Sequence, residues 1–276
     1  MHFLATRLRW ISYFSLDVVF GAMAGMLFFS KVAHVELAWP PYVLLALAVW
    51  CIYNLDHYLD SRKEEILLSS RRKFHRRSGN LILGLVFVFG ILGLVGGFWW
   101  FGWGLELQLT IGLGLLIGGI RLLVWKFGKG WMKEFSIAVF YVAGISWLPF
   151  LSANPLDRSG EFFLFLGLYL LLALLNLLIL SQLDAKEDQK AGFFSATKTI
   201  SPQNLRQWIK NLGVALVVLQ LALLIVLPSF FKIFGLILLL MTLVHVFVFL
   251  TNTLNPEQQR MRMEWAFSIP WVLLLF

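Results

Sequence analysis

The sequence predicts an all-α, polytopic membrane protein that forms a bundle of about nine transmembrane helices. Of its 276 residues, 59% are hydrophobic and only 14% are charged, and the mean hydropathy is +0.80. A soluble domain of this length has too little interior to bury that much apolar surface. The apolar runs are continuous rather than alternating, and several reach the roughly 20 residues that a spanning helix needs. A helical bundle in a lipid bilayer therefore fits better than a soluble fold or a β-barrel.

The apolar runs divide the chain into nine segments separated by short polar loops. We predict helices at 9–30, 38–58, 80–101, 106–126, 133–153, 160–183, 207–227, 230–250 and 262–276. The composition shows no soluble domain and no low-complexity linker, so residues 1–276 are expected to form a single transmembrane domain.

The distribution of basic residues gives the predicted orientation. The N-terminus carries two arginines, Arg7 and Arg9. The eight regions that connect the predicted helices carry, in order, one, seven, none, three, one, five, one and two Lys or Arg residues. Because loops rich in Lys and Arg stay in the cytoplasm, this alternation predicts a multi-pass protein of the cell membrane with a cytoplasmic N-terminus. The C-terminus is then expected on the opposite side. The same topology explains the net charge of +8 without nucleic-acid binding.

Two acidic pairs stand at the predicted cytoplasmic ends of helices two and six. Asp56 and Asp60 form the first pair, and Asp184 and Asp188 the second. Residues i and i+4 share one face of a helix, so each pair points two carboxylates in one direction. Like charges at this spacing are unfavourable, and more so near lipid. Mg²⁺ would offset that repulsion, because it binds one or two carboxylates together with substrate phosphates.

Basic residues follow each acidic pair, which suits a diphosphate ligand. The segment after the first pair includes "RRKFHRR", and three lysines lie near the second pair. Gly192 would let the backbone turn close to a phosphate. Either pair alone is equally well explained as a solvated helix end, and the basic loops alone follow from topology. The repetition of one spacing at equivalent helix ends favours a shared site.

The segments "DHYLD" and "DAKEDQKAG" resemble the two aspartate-rich motifs of the UbiA superfamily of intramembrane prenyltransferases. The second motif of that family often reads Asp-x3-Asp-Arg-Lys-x-Gly, followed by Thr three residues later. The matching positions here are Asp184, Asp188, Lys190 and Gly192. Ser195 stands at the position of the Thr, and "KFGKGWMKEF" with Lys133 is weakly similar to a basic stretch of the family. The resemblance covers essentially the whole chain.

The resemblance implies transfer of an isoprenyl group from a prenyl diphosphate to a lipophilic acceptor, often an aromatic quinone precursor. It implies Mg²⁺ as cofactor and four aspartates as both metal ligands and catalytic residues, namely Asp56, Asp60, Asp184 and Asp188. It further implies a set of diphosphate-binding residues. We expect these to be Arg72, Lys73, Lys133, Lys190, Gly192 and Ser195.

The first motif departs from the family pattern. The family usually has Asn-Asp four and three residues before the first of the aligned aspartates, and this chain has Ile52 and Tyr53 there. Asn54 lies two residues out of register, about 160° around the helix from the family's Asn. Gln189 replaces the usual Arg of the second motif. An alternative hypothesis is therefore a catalytically degenerate relative that binds a lipid or a partner protein.

Other polar residues within the apolar segments are expected to face the interior of the bundle, because they are costly in hydrocarbon. These are Asp17, Asn54, Asn176 and Arg121. Asp17 is a functional candidate or a helix–helix hydrogen-bonding residue, and Arg121 could either pair with an interior acid such as Asp17 or extend to the membrane interface. A transporter is the second alternative, and it predicts ionisable residues near the middle of the membrane.

Overall fold

The computed structural model describes residues 10–63, 70–127, 130–155, 158–191, 200–251 and 254–276. The described residues are almost entirely helical and contain no strand. The helices are α1 (Leu16–Val32), α2 (Trp39–Lys63), α3 (Ser70–Arg77), α4 (Gly79–Phe101), α5 (Leu105–Phe127), α6 (Gly130–Ser152), α7 (Gly160–Ala191), α8 (Pro202–Val226), α9 (Ser229–Leu250) and α10 (Pro256–Ala266). A 3₁₀ helix, Ile269–Leu275, follows α10.

Seven of these helices are long and apolar enough to cross a membrane, namely α2 and α4 to α9. The chain is thus a multi-pass, all-α membrane protein, as predicted. The seven correspond to predicted segments two to eight, although α8 begins five residues earlier than expected, at Pro202. The predicted first and ninth spans take a different form.

The first predicted span, 9–30, is interrupted at Ser15. This residue has a left-handed backbone with φ 54°, and α1 begins after it with only 17 residues. In a continuous helix the Val18 N–H would donate to the Phe14 carbonyl, and here side chains form hydrogen bonds with both groups instead. The Val18 N–H donates to Asp17 Oδ1 at 2.9 Å, and the Phe14 carbonyl accepts from Asn54 Nδ2 at 3.2 Å. Two buried polar residues thus stabilise the interruption.

The ninth predicted span, 262–276, is also divided. α10 starts earlier, at Pro256, with a capping box between Asn255 and Gln258. It ends at Ala266, and the chain continues as the 3₁₀ helix. Pro270 explains the division, because proline lacks an N–H and disfavours a helical conformation in the residue before it. Neither part alone has the length of a membrane span.

α1 lies at the centre of the bundle, although it is too short to count among the seven spans. It packs against α2, α6, α7, α9, α10 and the 3₁₀ helix. Phe28 and Phe29 are fully buried there and contact aromatic rings of α7 and α9, including Tyr169 and Phe234. A β-carbon on Gly21 would lie 2.8 Å from Phe267 Cβ, so the backbones approach closely at this glycine. This packing places Asp17, in the first turn of α1, among several helix ends.

Candidate functional site

Charged and polar side chains from five helices meet at one end of the bundle, where α2 and α7 end and α10 begins. We call this group the polar cluster. Its members are Asp17 of α1, Tyr53 of α2, Arg71 of α3, Asp184 of α7, and Arg260 and Glu264 of α10. The cluster joins residues from both predicted motifs to residues from the first and last helices. Electrostatic interactions connect all six side chains.

Asp184, the first aspartate of the second motif, lies among arginines. Arg260 Nη2 donates to both carboxylate oxygens of Asp184 at 2.6 Å. Arg71 and Arg72 also interact electrostatically with this carboxylate. Three guanidinium groups thus surround one acid, an arrangement that provides many donors for an anionic ligand.

The rest of the second motif lies outside the described residues or has side chains outside the described part of the chain. Gly192 and Ser195 lie outside the described residues, and the side chains of Asp188 and Lys190 lie outside the described part of α7. Their predicted roles remain predictions.

The first motif reaches the polar cluster through Tyr53. This side chain interacts electrostatically with Asp56, Arg71, Asp17 and Glu264. Ile52, the other departure from the family pattern, is 63% exposed and points away from the cluster. Asp56 is exposed and Asp60 half-buried, and each has an interaction partner. Of Ile52 and Tyr53, only Tyr53 interacts with the cluster.

Asn54 positions the basic helix α3. It is fully buried, and its Nδ2 donates to the carbonyls of Phe14 and Trp50. Its Oδ1 lies 3.3 Å from Nε2 of His75, whose Nδ1 donates to the Arg71 carbonyl at 3.0 Å. Burial lowers the pKa of His75, while the hydrogen bond to the Arg71 backbone opposes that shift. Asn54 thus occupies a buried position and links α2 to the backbone that carries Arg71.

Asp17 and Glu264 bring two carboxyl groups together inside the cluster. Asp17 is fully buried and Glu264 is 7% exposed. Glu264 Oε2 accepts from Ser12 Oγ at 3.4 Å, and Oε1 lies 3.8 Å from Arg71 Nη1. Burial, and next the charge of Asp17, raise the pKa of Glu264 to about 8, against the opposing effect of Arg71 and Arg260. Asp17 faces the interior as predicted, and its carboxyl partner is Glu264.

The remaining predicted residues are more scattered. Arg72 is half-buried near Asp184, whereas Lys73 is exposed on α3 and Lys133 is half-buried on α6. Asn176 lies along α7 with its Oδ1 buried and without a hydrogen-bond partner, which agrees with the predicted interior position. The side chain of Arg121 lies outside the described part of α5, so a pair with Asp17 stays untested.

Sequence reasoning missed Arg260 and Glu264. Arg260 lies in the loop before the predicted segment 262–276 and contributes there only to the topological charge, whereas Glu264 lies inside that segment. The sequence feature that could have indicated Arg260 and Glu264 is their i, i+4 spacing, which places a cation and an acid on one face of a helix. What the sequence did not reveal is that this face packs against α1 and α7.

The carboxylate oxygens of the polar cluster are the type of ligand that Mg²⁺ binds, which fits the predicted Mg²⁺ site. Within the described residues, no group of three or more His, Cys, Asp or Glu is arranged to hold a metal ion. Arg260 contacts both oxygens of Asp184, so metal binding at this aspartate requires that guanidinium to move.

Fold and site together define the class of the protein as a multi-pass α-helical membrane protein with a partly buried polar cluster at one end of its bundle. Comparisons of the chain with protein-family models, with curated proteins and with solved structures find no match.

Proposed function

We propose that the protein is a UbiA-like intramembrane prenyltransferase that uses Mg²⁺ to transfer an isoprenyl group from a prenyl diphosphate to an aromatic or quinone-precursor acceptor. One observation carries the proposal. Arg71 and Arg72, which follow the first acidic pair, lie around Asp184 of the second pair. Residues that are more than 100 positions apart in the sequence thus share one site, as two halves of a diphosphate site would.

The described side chains suit the chemistry of diphosphate departure. Arg71, Arg72 and Arg260 bring guanidinium donors to one place, and such donors bind phosphate oxygens in a bidentate manner. Fixed cations in a site of low dielectric stabilise the charge that develops on the leaving diphosphate as the allylic C–O bond breaks. Lys73, Lys133, Lys190, Gly192 and Ser195 remain proposed contributors to diphosphate binding.

The four motif aspartates, Asp56, Asp60, Asp184 and Asp188, would hold the metal. Bound Mg²⁺ supplies further neutralisation of the diphosphate charge. The aromatic interior next to the cluster would exclude water from the reactive carbon. Tyr141 fits that role, because it is an electrostatic neighbour of both Tyr53 and Tyr169.

The proposed setting is the cell membrane, with the polar cluster on the cytoplasmic side. Both motifs lie at helix ends that the distribution of Lys and Arg assigns to the cytoplasm. The N-terminus would lie on that side and the C-terminus on the other. A prenyl diphosphate would then meet the cluster with its charged group in the cytoplasm and its chain in the bilayer.

The test is release of inorganic diphosphate from prenyl diphosphates of several chain lengths, with Mg²⁺ and a panel of aromatic acceptors, by the protein in lipid nanodiscs. We expect Arg71→Ala and Asp184→Asn to lower turnover by about 100-fold, because each removes an electrostatic contributor to the transition state. Arg77→Ala is the matched control, since Arg77 is exposed on the same helix as Arg71. Unchanged turnover in Asp184→Asn contradicts the proposal.

A second function, binding without catalysis, is favoured by the contact between Arg260 and Asp184. Both oxygens of the Asp184 carboxylate accept from Arg260, so Mg²⁺ would have to compete with this guanidinium for the carboxylate. A degenerate relative would bind the prenyl diphosphate through its arginines in the absence of Mg²⁺ and would turn over no acceptor. Calorimetric titration with and without Mg²⁺ separates the two functions. The transporter alternative gains nothing from the cluster, which lies at one end of the bundle.

A further inference from the structure

Two carboxyl groups that the proposed transfer reaction does not use lie in direct contact inside the protein. Asp17 belongs to the first helix of the bundle and Glu264 to α10, and the two side chains interact with each other. Exposure is 0% for Asp17 and 7% for Glu264. Two ionised carboxylates held together away from water repel each other strongly, so one of such a pair normally keeps its proton.

The hydrogen bonds of the four carboxyl oxygens indicate where a proton is needed. Asp17 Oδ1 accepts from the Val18 N–H, and Glu264 Oε2 accepts from the Ser12 hydroxyl. Glu264 Oε1 faces Arg71 Nη1. Asp17 Oδ2 is buried and has no hydrogen-bond donor. An unsatisfied buried acceptor is costly, and a proton shared between the two carboxyls would satisfy it.

The charges that surround the pair lead to the same conclusion. The groups that interact with the pair are Tyr53 of α2, Arg71 of α3 and Arg260 of α10. Around these lie Asp56 beside Tyr53, Asp184 of α7 beside Arg71 and Arg260, Arg72 beside Asp184, His57 and His75 beside Arg71, and His245 of α9 beside Phe267. Among the described residues, two guanidinium groups, those of Arg71 and Arg260, thus stand against the three carboxyl groups of Asp17, Glu264 and Asp184. One bound proton removes the excess negative charge, which is unfavourable at low dielectric.

We propose that Asp17 and Glu264 form a buried carboxyl dyad that binds a single exchangeable proton. The dyad is a proton-binding site in its own right and does not depend on the proposed transferase activity. Arg71 couples it to the rest of the cluster, because this guanidinium faces both Glu264 and Asp184. An anion that engages Arg71 weakens its attraction for the dyad and so increases the dyad's affinity for the proton.

Infrared difference spectroscopy of the full-length protein in nanodiscs tests the dyad directly. Wild-type protein at neutral pH is expected to show the C=O band of a protonated carboxyl group, with a shift in D₂O. Asp17→Asn and Glu264→Gln should each abolish that band, because the remaining carboxyl then has no second carboxylate beside it and ionises opposite Arg71. Glu257→Gln, an exposed acid on the same helix, should retain it. Absence of the band in the wild type, or its survival in both single variants, overturns the proposal.

Thermal unfolding in the same nanodiscs provides a second, independent test. An amide imitates the protonated partner, so either single variant should unfold within a few degrees of the wild type. The double variant leaves Arg71 without this counter-charge and should unfold at a clearly lower temperature. If both acids were ionised, each single variant would instead lose a counter-ion and unfold early, which would contradict the dyad. If one single variant fails to fold, the other still gives the result.

The pH dependence of stability completes the test. The pKa of folded Glu264, about 8, lies above its ordinary value of 4.5. Folding therefore favours the protonated form of Glu264. The stability that this proton contributes to the folded state is complete below pH 4.5 and is lost as the pH rises through about 8. Wild-type unfolding temperature should fall across this interval, and Glu264→Gln should flatten the fall. An equal slope in both proteins argues against the dyad.

Discussion

α1 and α5 are both helices with closely spaced glycines, yet they lie in opposite environments. α1 is the shortest of the long helices and forms the centre of the bundle, with 12 of its 17 residues buried. The most apolar stretch of α5 has none of its described residues buried. A β-carbon on Gly21 or Gly25 of α1 would meet a neighbouring atom within 3 Å, whereas one on Gly112 or Gly118 of α5 would meet nothing within 4 Å. The same residue type thus permits close packing in one helix and has no such role in the other.

Apolar composition therefore does not determine how extensively a helix packs within the bundle. α5 satisfies every criterion for a membrane span and contacts mainly its neighbours α4 and α6. α1 misses the length criterion because of the interruption at Ser15, and it touches most of the bundle. In a bilayer both lipid and protein accept apolar side chains, so the position of a helix depends on shape and polar contacts. Three substitutions test this comparison.

Gly21→Ala should have the largest effect. The added methyl group would lie 2.8 Å from Phe267 Cβ, an atom fixed close to its backbone, so α1 and the segment after α10 must separate. We expect a loss of about 3 kcal/mol in the free energy of unfolding, the upper part of the usual range for overpacking. Gly112→Ala on α5 is the control and should be neutral or slightly stabilising, since alanine is the better helix former. The free energy of unfolding is measured by denaturant unfolding in detergent. Similar losses in both variants would contradict the difference in packing between α1 and α5.

Asn54→Ala should have the next largest effect. It leaves the half-buried Phe14 carbonyl without the Asn54 donor at the interruption of the first predicted span, and it removes the partner of the buried His75 Nε2. The expected loss is about 2 kcal/mol, typical of an unsatisfied buried polar group. Gln108→Ala in α5 removes an exposed side-chain hydrogen bond to the Trp103 carbonyl and should change stability little. A loss in the control equal to that of Asn54→Ala would show that burial does not set the difference.

Thr110→Val should have the smallest effect. Trp147 Nε1 of α6 donates to Thr110 Oγ1 at 3.2 Å, one of the polar contacts that attach α5 to the bundle. The nearly isosteric valine removes the acceptor at a cost of about 1 kcal/mol or less. Amide hydrogen exchange should increase in α5 while that of α1 stays unchanged. Increased exchange in α1 would mean that α5 supports the centre of the bundle.

Much of the fold could be predicted from the sequence, because membrane spans follow from local composition. Segments two to eight were predicted in the correct order, with boundaries mostly within a few residues. The interruption at Ser15 could not be predicted, since it depends on a distant Asn54 side chain that accommodates it. The division near Pro270 had a local signal in the proline itself, which membrane helices often tolerate.

The candidate site was predictable in part. The proximity of Asp184 to the basic segment after the first motif followed from the repeated spacing and the shared side of the membrane. Tyr53 was noted only as a departure from a family pattern, and Lys73, chosen as a ligand, lies exposed on α3. Arg260 and Glu264 escaped prediction because their importance arises from the tertiary position of α10.

The polar cluster also has a consequence for biosynthesis. Ser12 and its acceptor Glu264 are 252 positions apart, so the first helix leaves the ribosome long before α10 exists. Arg71 follows Asp17 early in synthesis, but until α10 is made Asp17 lacks its carboxyl partner Glu264. Since chains fold from the N-terminus during synthesis, the bundle must hold an incomplete interior while translation continues. Arrival of α10 is therefore the assembly step that completes the contact between Asp17 and Glu264.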